Sequence, residues 1–120
     1  MQIRAATTDD IEPIVRVFLD CWKISYINLL PEEVREAMDF DAALKLWRNA
    51  TEPHPERATY VIDVNNTIVA VARAGVDPVF NTRGHLFSLY VDPTHAGRGY
   101  GRALLTHIKK VIREIGRAHV

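Results

Sequence analysis

Apolar residues in the first half of the chain recur at intervals of three and four, which is the spacing of one helix face. The clearest case is residues 10 to 26, with a short strand predicted before it at residues 2 to 6. The apolar face of this helix contains Ile11, Ile14, Val15, Phe18 and Trp22. The intervening TTDD offers side-chain oxygens that can cap the helix. NLLPEEV predicts a second helix opened by its proline, and residues 41 to 50 predict a third.

From residue 58 onward the apolar period changes to two, which is the spacing of strands. Two such runs flank Asn65 and Asn66, a pair typical of the tight turn in a hairpin. The next run, HLFSLYV at residues 85 to 91, has apolar residues on both faces and predicts a central, doubly covered strand. Strict alternation places on one face His85, Phe87, Leu89 and Val91.

The last pattern is a helix whose apolar face packs on this sheet. Its apolar residues are Leu104, Ile108, Val111 and Ile115. Gly116 is placed to end the helix. The fold class predicted from these elements is α/β, with a mostly antiparallel central sheet flanked by helices on both faces.

The composition indicates one ordered domain that spans residues 1–120. The chain has 15 basic and 15 acidic residues, so no global charge favours nucleic acid or an anionic membrane. No apolar run approaches the roughly 20 residues that span a bilayer, and the first residues lack a secretory pattern. A cytoplasmic location without nucleic-acid or membrane partners is therefore the expectation.

Candidate metal and nucleophile residues do not assemble into a motif. The single cysteine, Cys21, excludes an internal disulfide and follows Phe18 on an apolar helix face, which indicates a buried packing residue; a reactive thiol is the alternative. No ligand spacing to one another or to Cys21 is shown by His54, His95, His107 and His119. We therefore expect no metal site and no serine hydrolase triad.

Three glycines crowd the junction between the last strand and the last helix, in LYVDPTHAGRGYGRALL. A strand, a glycine-bearing loop and a helix N-terminus together form a common phosphate cradle, to which Arg98 and Arg102 can add charge. The P-loop requires a lysine and a hydroxyl residue after its last glycine, and the dinucleotide motif requires a different glycine spacing. A flexible turn that only permits tight packing is the remaining alternative.

The junction resembles the GCN5-related N-acetyltransferase (GNAT) family over nearly the whole chain. In that family a V-x-P strand end is followed by Gln or Arg, two residues, Gly, one residue, and Gly or Ala. Here Val91 and Pro93 match, followed by Gly97, Gly99 and Gly101, while the family's Gln or Arg is Ala96. That departure removes one side-chain contact from the loop but leaves its backbone unchanged.

The resemblance implies an acyl-CoA N-acyltransferase-like fold and a binding mode for acetyl-coenzyme A. Pantetheine would lie against the strand end at Leu89, Tyr90 and Val91. The pyrophosphate would lie on the loop and first helical turn, at Gly97, Arg98, Gly99, Tyr100, Gly101 and Arg102. The implied function is transfer of an acetyl group to an amine of a small molecule or peptide, without a metal.

Acetyl transfer also needs a base for the amine and an acid for the departing thiolate. The strand offers His85 and Ser88 as weak base candidates, although the favoured interpretation of His85 is a structural residue at the strand start. Tyr90 and Tyr26 are acid candidates by residue type only.

The family places a further strand, a final hairpin and often a proton-donating tyrosine after this helix, and no sequence remains for them beyond Val120. The domain is therefore expected to be incomplete at its C-terminal end, with an open sheet edge that predicts self-association, for example as a homodimer. The alternative is a truncated, inactive protein that keeps the acetyl-coenzyme A cradle, or only the fold, for binding or interaction.

Overall fold

The strand TIVAVARAGV is almost entirely buried and lies inside a four-stranded antiparallel sheet in the computed structural model. The structure describes residues 1–26, 29–77, 79 and 84–118; for residues 26 and 115–118 it describes the backbone alone. In chain order the elements are β1 (Gln2–Ala5), α1 (Ile11–Tyr26), α2 (Glu32–Ala37), α3 (Phe40–Thr51), β2 (Arg57–Val64), β3 (Thr67–Val76), β4 (Gly84–Val91) and α4 (Tyr100–Ala118).

These elements confirm the predicted α/β class and nearly all of its segments. One boundary was wrong, since α4 continues through position 116 to Ala118. A glycine inside a helix costs only about 1 kcal/mol relative to alanine, so Gly116 does not by itself end a helix. No helix in the described part of the chain is long and apolar enough to cross a membrane.

The sheet has the order β1-β2-β3-β4, and every neighbouring pair is antiparallel. Asn65 and Asn66 connect β2 to β3 with φ angles of 50° and 67°. Positive φ at both central residues is the geometry of the two-residue hairpin turn that the sequence predicted.

Helices cover both faces of this sheet, as predicted. On one face α1 and α3 enclose a core formed by Ile14, Val15, Phe18, Ala43, Trp47, Val61, Ile68 and Val71. On the other face α4 encloses a core formed by Ile62, Val69, Ala70, Ala72, Ala74, Leu104 and Ile108. β3 contributes to both cores, which explains why its sequence lacks polar alternation.

The prediction that β4 is a central strand was wrong for the described chain. β4 is the last strand in the sheet order, and none of its residues is fully buried. Its apolar residues contact both helical layers, and such a two-faced pattern carries no information about whether a strand lies alongside. Beyond β4 the described residues leave the sheet edge open.

A β-bulge also changes which face each β4 residue occupies. Arg73 pairs with Ser88 while Ala74 pairs with Leu86, so Phe87 is the extra residue. Leu89 packs in the α4 core, whereas Phe87 lies on the opposite face beside Arg73. The strict alternation predicted for β4, with Phe87 and Leu89 on one face, is therefore wrong.

An ion-pair network connects the first strand to the start of α1, and sequence reasoning missed it. Both guanidinium ends of Arg4 contact the Asp10 carboxylate, at 2.7 and 3.0 Å, and Asp63 of β2 accepts a further bond at 3.1 Å. Asp10 also accepts a hydrogen bond from the Thr7 amide at 2.8 Å. The TTDD segment therefore forms the capping box of a 3-10 turn, Thr8–Asp10, that leads into α1, and its last aspartate is also buried in an ion pair.

Candidate functional site

The turn after β4 is fixed by Asp92. Its amide donates to the Val69 carbonyl at 2.8 Å, and its carboxylate accepts from the Thr94 amide at 3.0 Å. Burial alone would raise the pKa of the Asp92 carboxyl, but the bonds from Thr94 and the nearby His95 outweigh burial and lower that pKa. Asp92 thus forms the side-chain-to-backbone turn that lets the chain leave the sheet toward α4.

The three glycines of the junction serve two different purposes. Gly97 and Gly99 have φ angles of +79° and +82°, in the left-handed region that other residues avoid, although an added Cβ would meet no atom within 4 Å. Gly101 is helical, and its added Cβ would lie 3.4 Å from Cγ2 of Val91. Two glycines therefore shape the loop, and the third permits close packing of α4 on β4.

The backbone donors of this junction are free of internal partners. The first helical hydrogen bond runs from the Ala103 amide to the Gly99 carbonyl at 3.0 Å. Within the described chain, none of the amides of residues 97 to 102 donates to a protein acceptor. Arg98 and Arg102 are exposed beside them. Unpaired amides at a helix N-terminus, with two cations nearby, suit an anion with several oxygens.

The end of β4 presents backbone groups at the open edge of the sheet. Because the Asp92 amide points toward β3, the Val91 carbonyl in the same peptide points away from it. Residues two apart in a strand share an orientation, so the polar backbone groups of Leu89 also point outward. The Cys21 thiol donates to the Val91 carbonyl at 3.1 Å.

Cys21 is only partly buried, which corrects the expectation of a buried packing residue. Burial, followed by the negative charges of Asp92 and Asp20, raises the pKa of its thiol. At neutral pH the sulfur is therefore a protonated donor rather than a nucleophilic thiolate.

The candidate acid and base residues occupy three different environments on β4. The His85 side chain is 47% exposed, and its Nδ1 lies 3.8 Å from a carboxylate oxygen of Asp77. Ser88 Oγ is buried without a partner in the described chain. Tyr90 makes an edge contact with Phe18, with ring centroids 5.2 Å apart. The side chain of Tyr26 lies outside the described residues.

One residue in this region was missed at the sequence level. Arg73 of β3 is partly buried, with its guanidinium carbon 5.9 Å from the ring centre of Trp47 and 5.9 Å from that of Phe87. Burial and the charge of Arg57 lower its pKa, while Tyr90 opposes that shift. A charged residue in the middle of an apolar strand was the available signal. In the described chain, no group of three or more His, Cys, Asp or Glu side chains could hold a metal ion.

Comparison with protein families identifies one matching model. It is described as the acetyltransferase (GNAT) family and matches residues 14–120. Curated relatives described as acetyltransferases occur in Yersinia pestis and Yersinia pseudotuberculosis, each 29% identical over 110 residues. The match spans 92% of this chain but 66% of each relative's length.

Solved structures share the fold. PaiA N-acetyltransferase from Thermoplasma acidophilum, in complex with coenzyme A, matches with a TM-score of 0.74 and 19% identity over 96% of this chain and 73% of that one. YncA, a putative acetyltransferase from Salmonella typhimurium solved with acetyl-CoA, matches with a TM-score of 0.72 and 23% identity, covering 97% of this chain and 65% of that one.

Proposed function

This chain belongs to the acetyltransferase (GNAT) family, and from that premise we propose that it transfers an acetyl group from acetyl-coenzyme A to an amine. The observation that carries the proposal is the row of unpaired amides from Gly97 to Arg102. These donors, with Arg98 and Arg102 beside them, would hold the pyrophosphate of the cofactor.

The pantetheine arm would follow the outer edge of β4. Leu89 and Val91 present outward backbone groups there, and an amide-bearing arm can pair with them as an added strand does. The Val91 carbonyl already accepts from Cys21, but a carbonyl oxygen has two lone pairs and can accept a second donor. Tyr90 lies between these two residues and would flank the arm from the α1 side.

The transfer step consists of one bond formed, one bond broken and one proton transfer. The amine nitrogen forms a bond to the acetyl carbon, the carbon–sulfur bond breaks, and a proton lost by the amine finally returns to the thiolate. An outward amide of Leu89 or Val91 would donate to the thioester oxygen as it gains negative charge. The proposed proton route runs through the β4 candidates His85, Ser88 and Tyr90, and single substitutions would distinguish them through the pH dependence of the rate.

The cradle can be tested by reversing its charge. In calorimetric titrations with acetyl-coenzyme A, the double variant Arg98→Glu and Arg102→Glu should bind at least about tenfold more weakly than the unchanged chain. The matched control is Lys109→Glu with Lys110→Glu, which makes the same charge change on exposed positions further along α4. Equal losses in both variants, or no binding of acetyl-coenzyme A at millimolar concentration, would contradict the proposed cradle.

Turnover separates an enzyme from a binding protein. Release of free thiol from acetyl-coenzyme A in the presence of a panel of amines supports acetyl transfer. Cofactor binding without thiol release for any amine would instead select a catalytically inactive acetyl-coenzyme A-binding or interaction protein.

We also propose that two copies of the chain associate through the β4 edge. Pairing along the first half of β4 would leave Leu89 and Val91 free for the cofactor. Light scattering after size exclusion should then give a dimer mass both with and without coenzyme A. A monomer at every concentration, or dissociation by the cofactor, would refute this arrangement.

A further inference from the structure

Arg73 lacks the counter-charge that a partly buried cation normally has. No carboxylate in the described chain lies within ion-pair distance of its guanidinium group. The charge of another cation, Arg57, lowers the pKa of Arg73 further. A desolvated cation without a partner is costly to the folded state, and an anionic ligand is one way to relieve that cost.

Stacking on aromatic rings does not satisfy Arg73. The guanidinium lies over Trp47 and Phe87 at 5.9 Å from each ring centre, which provides a cation–π attraction. A cation–π contact does not supply hydrogen-bond acceptors, and within the described chain none of the Arg73 N–H groups donates a hydrogen bond. The two rings therefore hold the donors in place without pairing them.

Two further donors beside Arg73 are also unpaired. The indole Nε1 of Trp47 has no hydrogen-bond partner in the described chain, although Trp47 is only 1% exposed. Ser88 Oγ is likewise buried without a partner, and Ser88 lies directly opposite Arg73 in the strand register. A buried donor without an acceptor costs about 1–3 kcal/mol, so two of them beside a partly buried cation are unusual.

The chemistry of this donor cluster, formed by Arg73, Trp47 and Ser88, matches a carboxylate. A carboxylate has two oxygens with about four acceptor positions and pairs with the planar guanidinium fork. Arg73 is partly exposed, whereas Ser88 Oγ and Trp47 Nε1 are buried, so a ligand would enter the cluster from the Arg73 side. A positively charged amine alone would be repelled by Arg73.

The cluster also lies next to the proposed reaction centre. Ser88 immediately precedes Leu89, whose outward backbone groups we assign to the cofactor. We propose that the donor cluster anchors the carboxylate of the acetyl acceptor, so that the substrate is an amine that also carries a carboxylate, as an amino acid does. This inference rests on the proposed acetyltransferase function for the role of the ligand, but the binding of the carboxylate can be measured separately.

The experiment compares each L-amino acid with its primary amide, which retains the amine and removes the negative charge. Both members of each pair are titrated calorimetrically into the chain in the presence of coenzyme A. We expect at least one amino acid to bind about 10- to 100-fold more tightly than its amide. If every amino acid binds no better than its amide at millimolar concentration, the inference is overturned.

Three variants assign the preference to Arg73. Arg73→Met keeps the side-chain stem between the rings and should abolish the preference for the carboxylate. Arg73→Lys keeps the charge without the fork and should restore part of the preference. The control, Arg113→Met, removes an exposed charge from α4 on the opposite side of the sheet and should leave the preference intact. A preference that survives in Arg73→Met overturns the inference.

The outcome also distinguishes this inference from the function on which it rests. Arg73→Met should melt cooperatively and bind coenzyme A as the unchanged chain does, so a loss confined to the carboxylate is not an effect of unfolding. Failure of coenzyme A to bind any variant would refute the proposed function. The amino-acid titrations are then performed without coenzyme A, and the same comparison of variants shows whether Arg73 binds the carboxylate.

Discussion

Substituting the junction glycines by alanine, one at a time, should change stability in opposite directions. Gly97 and Gly99 have φ angles of +79° and +82°, whereas Gly101 is helical. Gly97→Ala and Gly99→Ala should each destabilise the fold by about 1 kcal/mol. An L-residue at positive φ costs about 1–2 kcal/mol, and the lower conformational entropy of the unfolded alanine variant offsets part of that cost.

Gly101→Ala is the matched control, since the chemical change is identical. Alanine is favoured over glycine in a helix interior by up to about 1 kcal/mol. The new methyl group would lie 3.4 Å from Cγ2 of Val91, a tight but tolerable contact that offsets part of this gain. We therefore expect a change between zero and about 1 kcal/mol of stabilisation.

Urea unfolding, followed by tryptophan fluorescence and by helical circular dichroism, measures all three changes. Each kcal/mol corresponds to a shift of roughly 4 °C in melting temperature for a chain of this size. If Gly97→Ala and Gly99→Ala leave the unfolding free energy unchanged, positive φ does not constrain this loop. If Gly101→Ala costs as much as the other two, close packing rather than backbone conformation is the reason for all three glycines.

Two further predictions concern ionisable groups. Asp10→Asn removes the charge that faces Arg4 and should cost about 1–3 kcal/mol in urea unfolding, less than for a fully buried pair because the Arg4 side chain is 27% exposed. The bond from Arg4 lowers the pKa of Asp10 below its ordinary 3.8 despite the opposing effect of burial, so its contribution is complete above about pH 4 and is lost as pH falls through the folded pKa. The difference in stability between Asp10→Asn and the unchanged chain should therefore shrink below pH 4, and a constant difference from pH 2 to pH 7 would contradict this linkage. Alkylation of Cys21 by iodoacetamide should be slower at pH 7.5 in the folded chain than in urea, because burial raises the pKa of the thiol, and coenzyme A should slow it further; equal rates folded and unfolded would show that the thiol is not shielded.

The regular elements were predictable because their sequences repeat with a period that geometry imposes. The face of α1 that carries Ile14 and Phe18 is buried as the spacing indicated, and the Asn65–Asn66 turn forms as predicted. The glycine junction was recognisable since strand, loop and helix follow one another directly in the sequence. Local patterns with local causes are the part of a structure that a single sequence reveals.

The features that were missed depend on contacts between distant segments. The bulge at Phe87 has no glycine or proline to mark it, and the strand pairing alone decides where the extra residue lies. The pairing of Arg4 with Asp63 joins residues of different strands and needs the register of β1 on β2. The donor cluster around Arg73 likewise exists only once α3, β3 and β4 are assembled.

The pairing of the first strand has a consequence for folding during translation. Among the described strands β1 pairs with β2 alone, in a register that places Gln2 opposite Asp63, so this pair cannot form until β2, which ends at Val64, has left the ribosome. Until then α1 and α3 have no sheet on which to bury their apolar faces, and the nascent segment must depend on dilution or on chaperones to stay unaggregated. Protease sensitivity of stalled nascent chains should therefore persist until β3 has emerged, and early protection of the first 56 residues would refute this order of events.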